Sequence, residues 1–236
     1  MRLPPFEILE PETLKDALSP LGNHKKNIKV IAGGTELVGL MKLGLLSPGC
    51  LMSLKKIKGL AGVRKLKRKI AIGSCTTVRE IIESPIIREE FAGLVDASKL
   101  MAAPPIQNRA TIGGNILQNS RCMYYNQSEI FRNGLKPCFK AGGKTCNAVK
   151  GGKRCFSVYQ SDLAPALVSV NAYVKLEKSN SSRIINVSDI FSGNGIKPIS
   201  IADDELLTEI IVPLPKENAY SSTYEKLRIR NSLEYP

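Results

Sequence analysis

Four of the six cysteines, Cys122, Cys138, Cys146 and Cys155, fall within one stretch, CMYYNQSEIFRNGLKPCFKAGGKTCNAVKGGKRC. Rich in lysine and glycine, it constrains the chain more than any other segment, because clustered thiols are cross-linked, hold a metal or carry redox chemistry. Cross-links are disfavoured here. The N-terminus MRLPPFEILEP lacks the charged start and apolar core of a secretory leader, and no apolar run approaches the roughly 18 residues needed to cross a bilayer. A cytoplasmic setting is expected, in which thiols stay reduced and the sequons at Asn126, Asn180 and Asn186 carry no meaning. That leaves metal or redox chemistry as the expectation for the four cysteines.

With 236 residues, 43% of them hydrophobic, the chain can bury a sizeable core in one large domain or two smaller ones. Its net charge of +13 suggests an anionic partner such as nucleic acid, but the distribution of that charge is more telling. One basic block, KKIKGLAGVRKLKRK (55–69), reads as a hairpin edge guarded by lysines. The other is the cysteine stretch, where Arg121, Arg132, Lys136, Lys140, Lys144, Lys150, Lys153 and Arg154 face the lone acid Glu129. Aromatic residues are sparse there and no nucleic-acid motif accompanies them. Cys50 and Cys75 lie on apolar, strand-like segments and read as buried structural thiols. The single histidine, His24, sits in a polar stretch and reads as exposed, so no histidine-based triad or metal site is available.

Periodicity predicts an α/β or α+β alternation. Helices are expected over PETLKDALSPLG (11–22), ELVGLMKLG, TTVREIIES with Thr76 or Thr77 at its start, and a longer one over REEFAGLVDASKLMA. Strands are expected over NIKVIAGG (27–34), CLMSL (50–54), KIAIG (69–73), VNAYVKLEK and ELLTEIIVPLP (205–215), with a turn at SGNGIKP.

Two glycine pairs carry the functional reading. In KVIAGGTEL a strand runs into Gly33-Gly34 and then the opening of a helix, an arrangement that brings backbone close to a ligand and aims free N–H groups at a phosphate. The second pair lies in RATIGGNILQNS (109–120), with Thr111 and Asn115 as hydrogen-bonding side chains. Either pair alone is an ordinary tight turn, and neither fits the G-x-G-x-x-G of a Rossmann dinucleotide fold.

Taken together, AGGTEL, IGSCTT, IQNRATIGGNILQNS and SDLAPALVSVNA resemble the FAD-binding subunit of the molybdenum hydroxylases, the family of xanthine dehydrogenase, carbon monoxide dehydrogenase and 4-hydroxybenzoyl-CoA reductase. The resemblance covers nearly the whole chain. It implies an α+β (mixed α/β) FAD-binding PCMH-type fold, with an N-terminal subdomain (1–55), a middle subdomain (56–215) and, at 216–236, the start of a truncated C-terminal domain. It further implies FAD contacts at Lys29, Val30, Ile31, Ala32, Gly33, Gly34, Thr35 and Glu36, then at Met101, Thr111, Gly114, Asn115 and Gln118, and finally at Asp162 and Lys226. An aspartate suits a sugar or ribityl hydroxyl rather than a phosphate. A helix cap before LAPAL is the plainer role for Asp162, and it could serve both.

Against that family, residues 121–160 stand as an insertion between the TIGGN and S-D-x-x-P segments, and all four clustered cysteines fall inside it. This resembles the β subunit of 4-hydroxybenzoyl-CoA reductase, whose loop binds an extra [4Fe-4S] cluster through four cysteines. The spacing C-x15-C-x7-C-x8-C lacks the C-x2-C pairs of common zinc sites and ferredoxins, so spacing alone leaves cluster, zinc and free thiols open. The resemblance implies an electron-transfer subunit carrying FAD and the cluster. Its expected partners are a molybdopterin-binding catalytic subunit, a [2Fe-2S] subunit and a ferredoxin-like donor or acceptor, with neither nucleic acid nor membrane. Three other readings stand beside it: the FAD subunit of a xanthine, aldehyde or carbon monoxide dehydrogenase-type complex, a self-contained flavin oxidoreductase, and a zinc-stabilised basic protein that binds nucleic acid.

Overall fold

Alternation in the first fifty residues builds a small parallel sheet. In the computed structural model, which describes residues 3–22, 27–214 and 221–228, strands β1 (Glu7–Leu9), β2 (Ile28–Ile31) and β3 (Cys50–Ser53) pair in the order β1-β3-β2. Parallel strands need a crossover, and helix α1 (Leu14–Leu21) supplies one between β1 and β2. Thr13 opens α1 by accepting from the Asp16 N–H at 3.2 Å. Ala17, Leu18 and Leu21 pack from α1 against Met52, Leu54, Ile57, Leu60 and Leu206. Helix α2 (Leu37–Lys42) follows β2.

The rest of the chain forms a five-stranded antiparallel sheet, ordered β4-β5-β8-β6-β7. Its strands are β4 (Val63–Leu66), β5 (Lys69–Gly73), β6 (Tyr173–Lys178), β7 (Ser181–Asn186) and β8 (Leu206–Pro213). The lysine-rich hairpin β4–β5 forms one edge, as its charge predicts. There Arg64 pairs with Glu209 at 2.5 Å, and Lys65 pairs with Glu90. Helices α3 (Val78–Glu83), α4 (Pro85–Glu90), α5 (Ala92–Leu100), α6 (Pro104–Gln107), α7 (Ile112–Ile116), α8 (Glu129–Asn133) and α9 (Leu163–Ser169) complete the chain. Ile81, Phe91, Leu94, Ile112, Ile116, Leu163, Leu167, Val174 and Ile210 are among the residues of the larger core.

Several expectations shift in detail. Thr77, rather than Thr76, caps α3, in a reciprocal box with Glu80. The long helix expected over REEFAGLVDASKLMA is two helices, because Phe91 leaves the helical region (φ −141°, ψ 65°) while its ring is fully buried. Strands β1 and β7 carry no legible sequence signal, since the three residues of β1 show no period and β7 is almost wholly exposed. Cys50 is buried on β3 as expected, whereas Cys75 is only half-buried in the turn after β5. His24 and most of 216–236 lie outside the described residues, and 221–228 is irregular. Among the described residues no helix is long and apolar enough to cross a membrane.

Candidate functional site

The two glycine segments meet backbone to backbone. Gly33 follows β2, and a Cβ there would lie 1.9 Å from the Arg109 carbonyl oxygen, so only glycine lets the first turn reach the second segment. Gly34 adopts φ +73°, a left-handed conformation that glycine enters without strain. Glu36 then precedes α2 without capping it. Its Oε2 instead accepts from the Asn119 N–H at 3.2 Å, tying the first segment to the end of the second.

The second segment is stitched into the core. The N–H groups of Val78, Ile112 and Gly113 donate to the carbonyls of Ala110, Thr76 and Ser74, each at 2.9 Å. Thr111 caps α7 by accepting from Gly114 N–H at 3.1 Å. Asn115 holds three groups together: its amide nitrogen donates to Met101 Sδ (3.2 Å), and its Oδ1 accepts from Ser161 Oγ (2.6 Å) and Leu163 N–H (3.3 Å). Gln118 donates to the Asn115 carbonyl at 2.9 Å. Met101, Thr111, Asn115 and Gln118 therefore converge, and three of them are buried to about 6% exposure or less. Lys29 and Thr35 are exposed, whereas Val30 and Ile31 are half-buried on β2 and Ala32 in the turn.

Asp162 does not cap α9. Ser161 takes that place, its Oγ accepting from Ala164 N–H at 2.9 Å, while Asp162 has no capping bond. The Asp162 carboxylate pairs with Lys226 Nζ at 2.8 Å and accepts from Tyr224 Oη at 3.1 Å. The Asp162 and Lys226 side chains are 14% and 9% exposed, so two expected contacts from distant parts of the sequence form one shielded ion pair. Burial first, then the neighbouring Asp162 charge, pushes Tyr224 up to about 12.

Glu36 stands out electrostatically. Its Oε1 is buried with no hydrogen-bond partner, and its ion partner Arg121 Nε stands 3.8 Å away. Burial raises its pKa, against the lowering effects of the Asn119 N–H, Arg121 and Lys140.

The cysteine stretch lies against this region. None of residues 121–160 is buried, yet Cys122, Cys138, Cys146 and Cys155 line one recess of about 320 Å³, its opening to solvent included. All four are free thiols. Among the described residues, no group of three or more His, Cys, Asp or Glu side chains is arranged to hold a single metal ion. Local bonds shape the stretch: Cys122 N–H donates to Asn126 Oδ1 at 2.9 Å, and Gly143 N–H to the Cys138 carbonyl at 2.8 Å. Arg132 reaches the carbonyls of Leu43 at 3.0 Å and Gly44 at 3.3 Å. Lys140, one of the cations of the cysteine stretch, is half-buried and lines the recess. Burial lowers its pKa, against the raising effects of Cys155, Cys122, Glu36 and Cys138. The parts played by Ser161, Tyr224 and Lys140 escaped the sequence reading. Only Ser161, three residues before Ala164, carried a legible capping signal.

Comparison with known proteins places this geometry. Residues 4–215 match the family model described as the FAD binding domain in molybdopterin dehydrogenase. The chain is 29% identical over 230 residues to the nicotinate dehydrogenase FAD-subunit of Eubacterium barkeri, covering 97% of this chain and 64% of that one. It is 36% identical over 113 residues to the carbon monoxide dehydrogenase medium chain of Hydrogenophaga pseudoflava, covering 48% of this chain and 39% of that one. A solved structure of carbon monoxide dehydrogenase from Hydrogenophaga pseudoflava, lacking the Mo-pyranopterin moiety, superposes with a TM-score of 0.75 at 26% identity. That match covers 98% of this chain and 66% of the other. The chain thus spans less than two thirds of each of these relatives.

Proposed function

Since the chain belongs to the family of FAD-binding domains in molybdopterin dehydrogenases, we propose that it is the electron-transfer flavoprotein subunit of a molybdenum hydroxylase-type complex. When bound, FAD supplies exchange between two-electron and one-electron chemistry. The residues that would hold it are Lys29 to Glu36, Met101, Thr111, Gly114, Asn115, Gln118, Asp162 and Lys226. The observation that carries this reading is the meeting of the two glycine segments at Gly33 and Arg109, with Glu36 Oε2 tied to Asn119 and its buried Oε1 left as an acceptor without a donor that suits a ligand hydroxyl. Asn115 and Thr111 spend their side-chain oxygens inside the protein, so their part in binding is to fix the backbone of 111–118. In this reading the chain comprises an N-terminal part to residue 55, a middle part to residue 215 and the beginning of a further domain.

The finer assignment is a 4-hydroxybenzoyl-CoA reductase-like subunit whose insertion holds a [4Fe-4S] cluster through Cys122, Cys138, Cys146 and Cys155. Four thiols around one recess supply the four ligands that a [4Fe-4S] cluster takes. Expected partners are a molybdopterin-binding subunit and a [2Fe-2S] subunit, and the relatives' names "medium chain" and "FAD-subunit" support a complex of several chains. A ferredoxin-like partner is supported by exposed Met123, Ile130, Phe131, Phe156 and Val158 lying among the exposed cations Lys136, Lys144, Lys150, Lys153 and Arg154.

Anaerobic purification tests the assignment. Flavin absorption with a broad brown shoulder, and iron matched by acid-labile sulfide, is the expected result. Replacing any of the four cysteines by serine should remove the iron and leave FAD bound, while the same change at Cys50 should spare both. Flavin without iron would defeat the cluster, and a colourless zinc protein would defeat the whole reading.

A further inference from the structure

The cysteine recess and the second glycine segment share a hydrogen-bonded border. An ammonium has three donors, and Lys140 Nζ lies within reach of Asn119 Oδ1 at 3.0 Å, the Ser120 carbonyl at 2.6 Å and Ser120 Oγ at 2.6 Å. It also stands 5.4 Å from the centre of the Tyr125 ring. Ser120 Oγ in turn lies 2.7 Å from Ser157 Oγ, and both hydroxyls lie 2.6 Å from the Gly195 carbonyl. Ser157 Oγ is 3.2 Å from Cys155 Sγ. A Cβ on Gly195 would fall 2.9 Å from Ser157 Oγ and 3.0 Å from that sulfur, so a glycine is what lets the 192–198 turn close over it.

We propose that Lys140, Ser120 and Ser157 form a positioning relay that fixes the recess against the end of the second glycine segment and raises the reduction potential of the group held there. The proposal rests on the cluster reading above. Proton bookkeeping supports it. Ser120 Oγ accepts from Lys140 and donates its own proton to Ser157 Oγ at 2.7 Å, and the single Ser157 proton is shared between the Gly195 carbonyl at 2.6 Å and Cys155 Sγ at 3.2 Å. A thiolate there makes this a charge-assisted bond. Hydrogen bonds and positive charge beside cluster sulfurs favour the more anionic, reduced state. Lys136, Lys144, Lys150, Lys153 and Arg154 carry the same charge into solvent, where it is screened. Among these cations, Lys140 is the one held half-buried at the recess, where the effective dielectric is lower.

The test is a redox titration of the full FAD-loaded chain, read by the paramagnetic signal of the iron–sulfur group. Lys140→Met should lower the reduced fraction about tenfold at fixed potential, a shift of about 59 mV for one electron. Ser157→Ala should move it the same way by less, Lys140→Arg should restore most of it, and Lys144→Met should leave it in place. Iron loss in Lys140→Met alone also supports the relay, and Ser157→Ala then carries the titration. Equal potentials in Lys140→Met and Lys144→Met, with iron intact, overturn the relay and leave the cluster standing. Iron-free wild-type protein overturns the cluster reading and the relay with it.

Discussion

Two neighbouring segments, RATIGGNILQNS and the cysteine stretch that follows it, are held in opposite ways. In the first, Ala110 to Gly113, Ile116, Gln118 and Ser120 are buried, and its N–H and carbonyl groups bond to the 74–78 turn. In the second, from Arg121 to Gln160, no residue is buried. The Arg121–Val158 bridge, the reach of Arg132 to Leu43 and Gly44, and the Lys140 contacts tether it to the domain. Ordering each residue costs about 1–2 kcal/mol in backbone entropy, and the second segment has only half-buried apolar groups, such as Phe139 and the Tyr159 ring against Phe191, to offset that. The glycine site is therefore preformed by folding, whereas the cysteine stretch, on the cluster reading proposed above, would draw its order from the group held by its thiols.

The contrast breaks most sharply at Gly33. Gly33→Val drives a side chain into the Arg109 carbonyl and should cost about 3 kcal/mol or more through overpacking. Thermal unfolding should show a large fall in Tm together with loss of FAD; a well-folded variant that merely lost FAD would mean the close approach serves the ligand alone. Next in size, an iron chelator should make 121–160 sensitive to protease while the remainder stays folded, and cleavage spread evenly over the chain would erase the distinction between the segments.

Smaller effects sharpen the comparison within the preformed site. Asp162→Ala leaves Lys226 shielded and unpaired and should cost about 2 kcal/mol. In a double-mutant cycle with Lys226→Met the two effects should be strongly non-additive. If Asp162→Ala also weakens FAD binding in excess of its effect on stability, the pair serves the ligand as well as the fold. Ser161→Ala should cost about 1 kcal/mol through the lost cap, with FAD affinity little changed.

The smallest effect is a pH dependence at Glu36. Its pKa is raised by burial above 4.5, so the folded state holds the proton more tightly than the unfolded state. The stability this confers is full below about 4.5 and is lost as pH rises through the elevated folded value. Glu36→Gln should therefore raise stability at neutral pH and lose that advantage in acid. Its FAD affinity should fall nonetheless, as expected where stability is traded for binding. Urea unfolding at neutral and acid pH, paired with FAD titration, measures both.

Read by itself, the sequence determined most elements of both sheets, because alternation and helical spacing in VNAYVKLEK or PETLKDALSPLG report locally which face is buried. It also determined the glycine turns, since an L side chain at the φ of Gly34 is strained whatever surrounds it. Spacing put four thiols in one stretch but left open whether they would face one another. Only tertiary structure decided that they share a recess, that Asp162 leaves the helix cap to Ser161 and turns to Lys226, and that Lys140 is withdrawn from solvent. The Asp162–Lys226 pair and the contacts of Lys140 and Ser120 rest on partners about 20 to 75 residues away in the chain, such as Ser120 with Gly195. A hydrogen bond or ion pair across that distance leaves no period in the sequence: its partners are chosen by how the two cores pack, and a charged side chain reads the same on paper whether it ends in water or against a buried carboxylate.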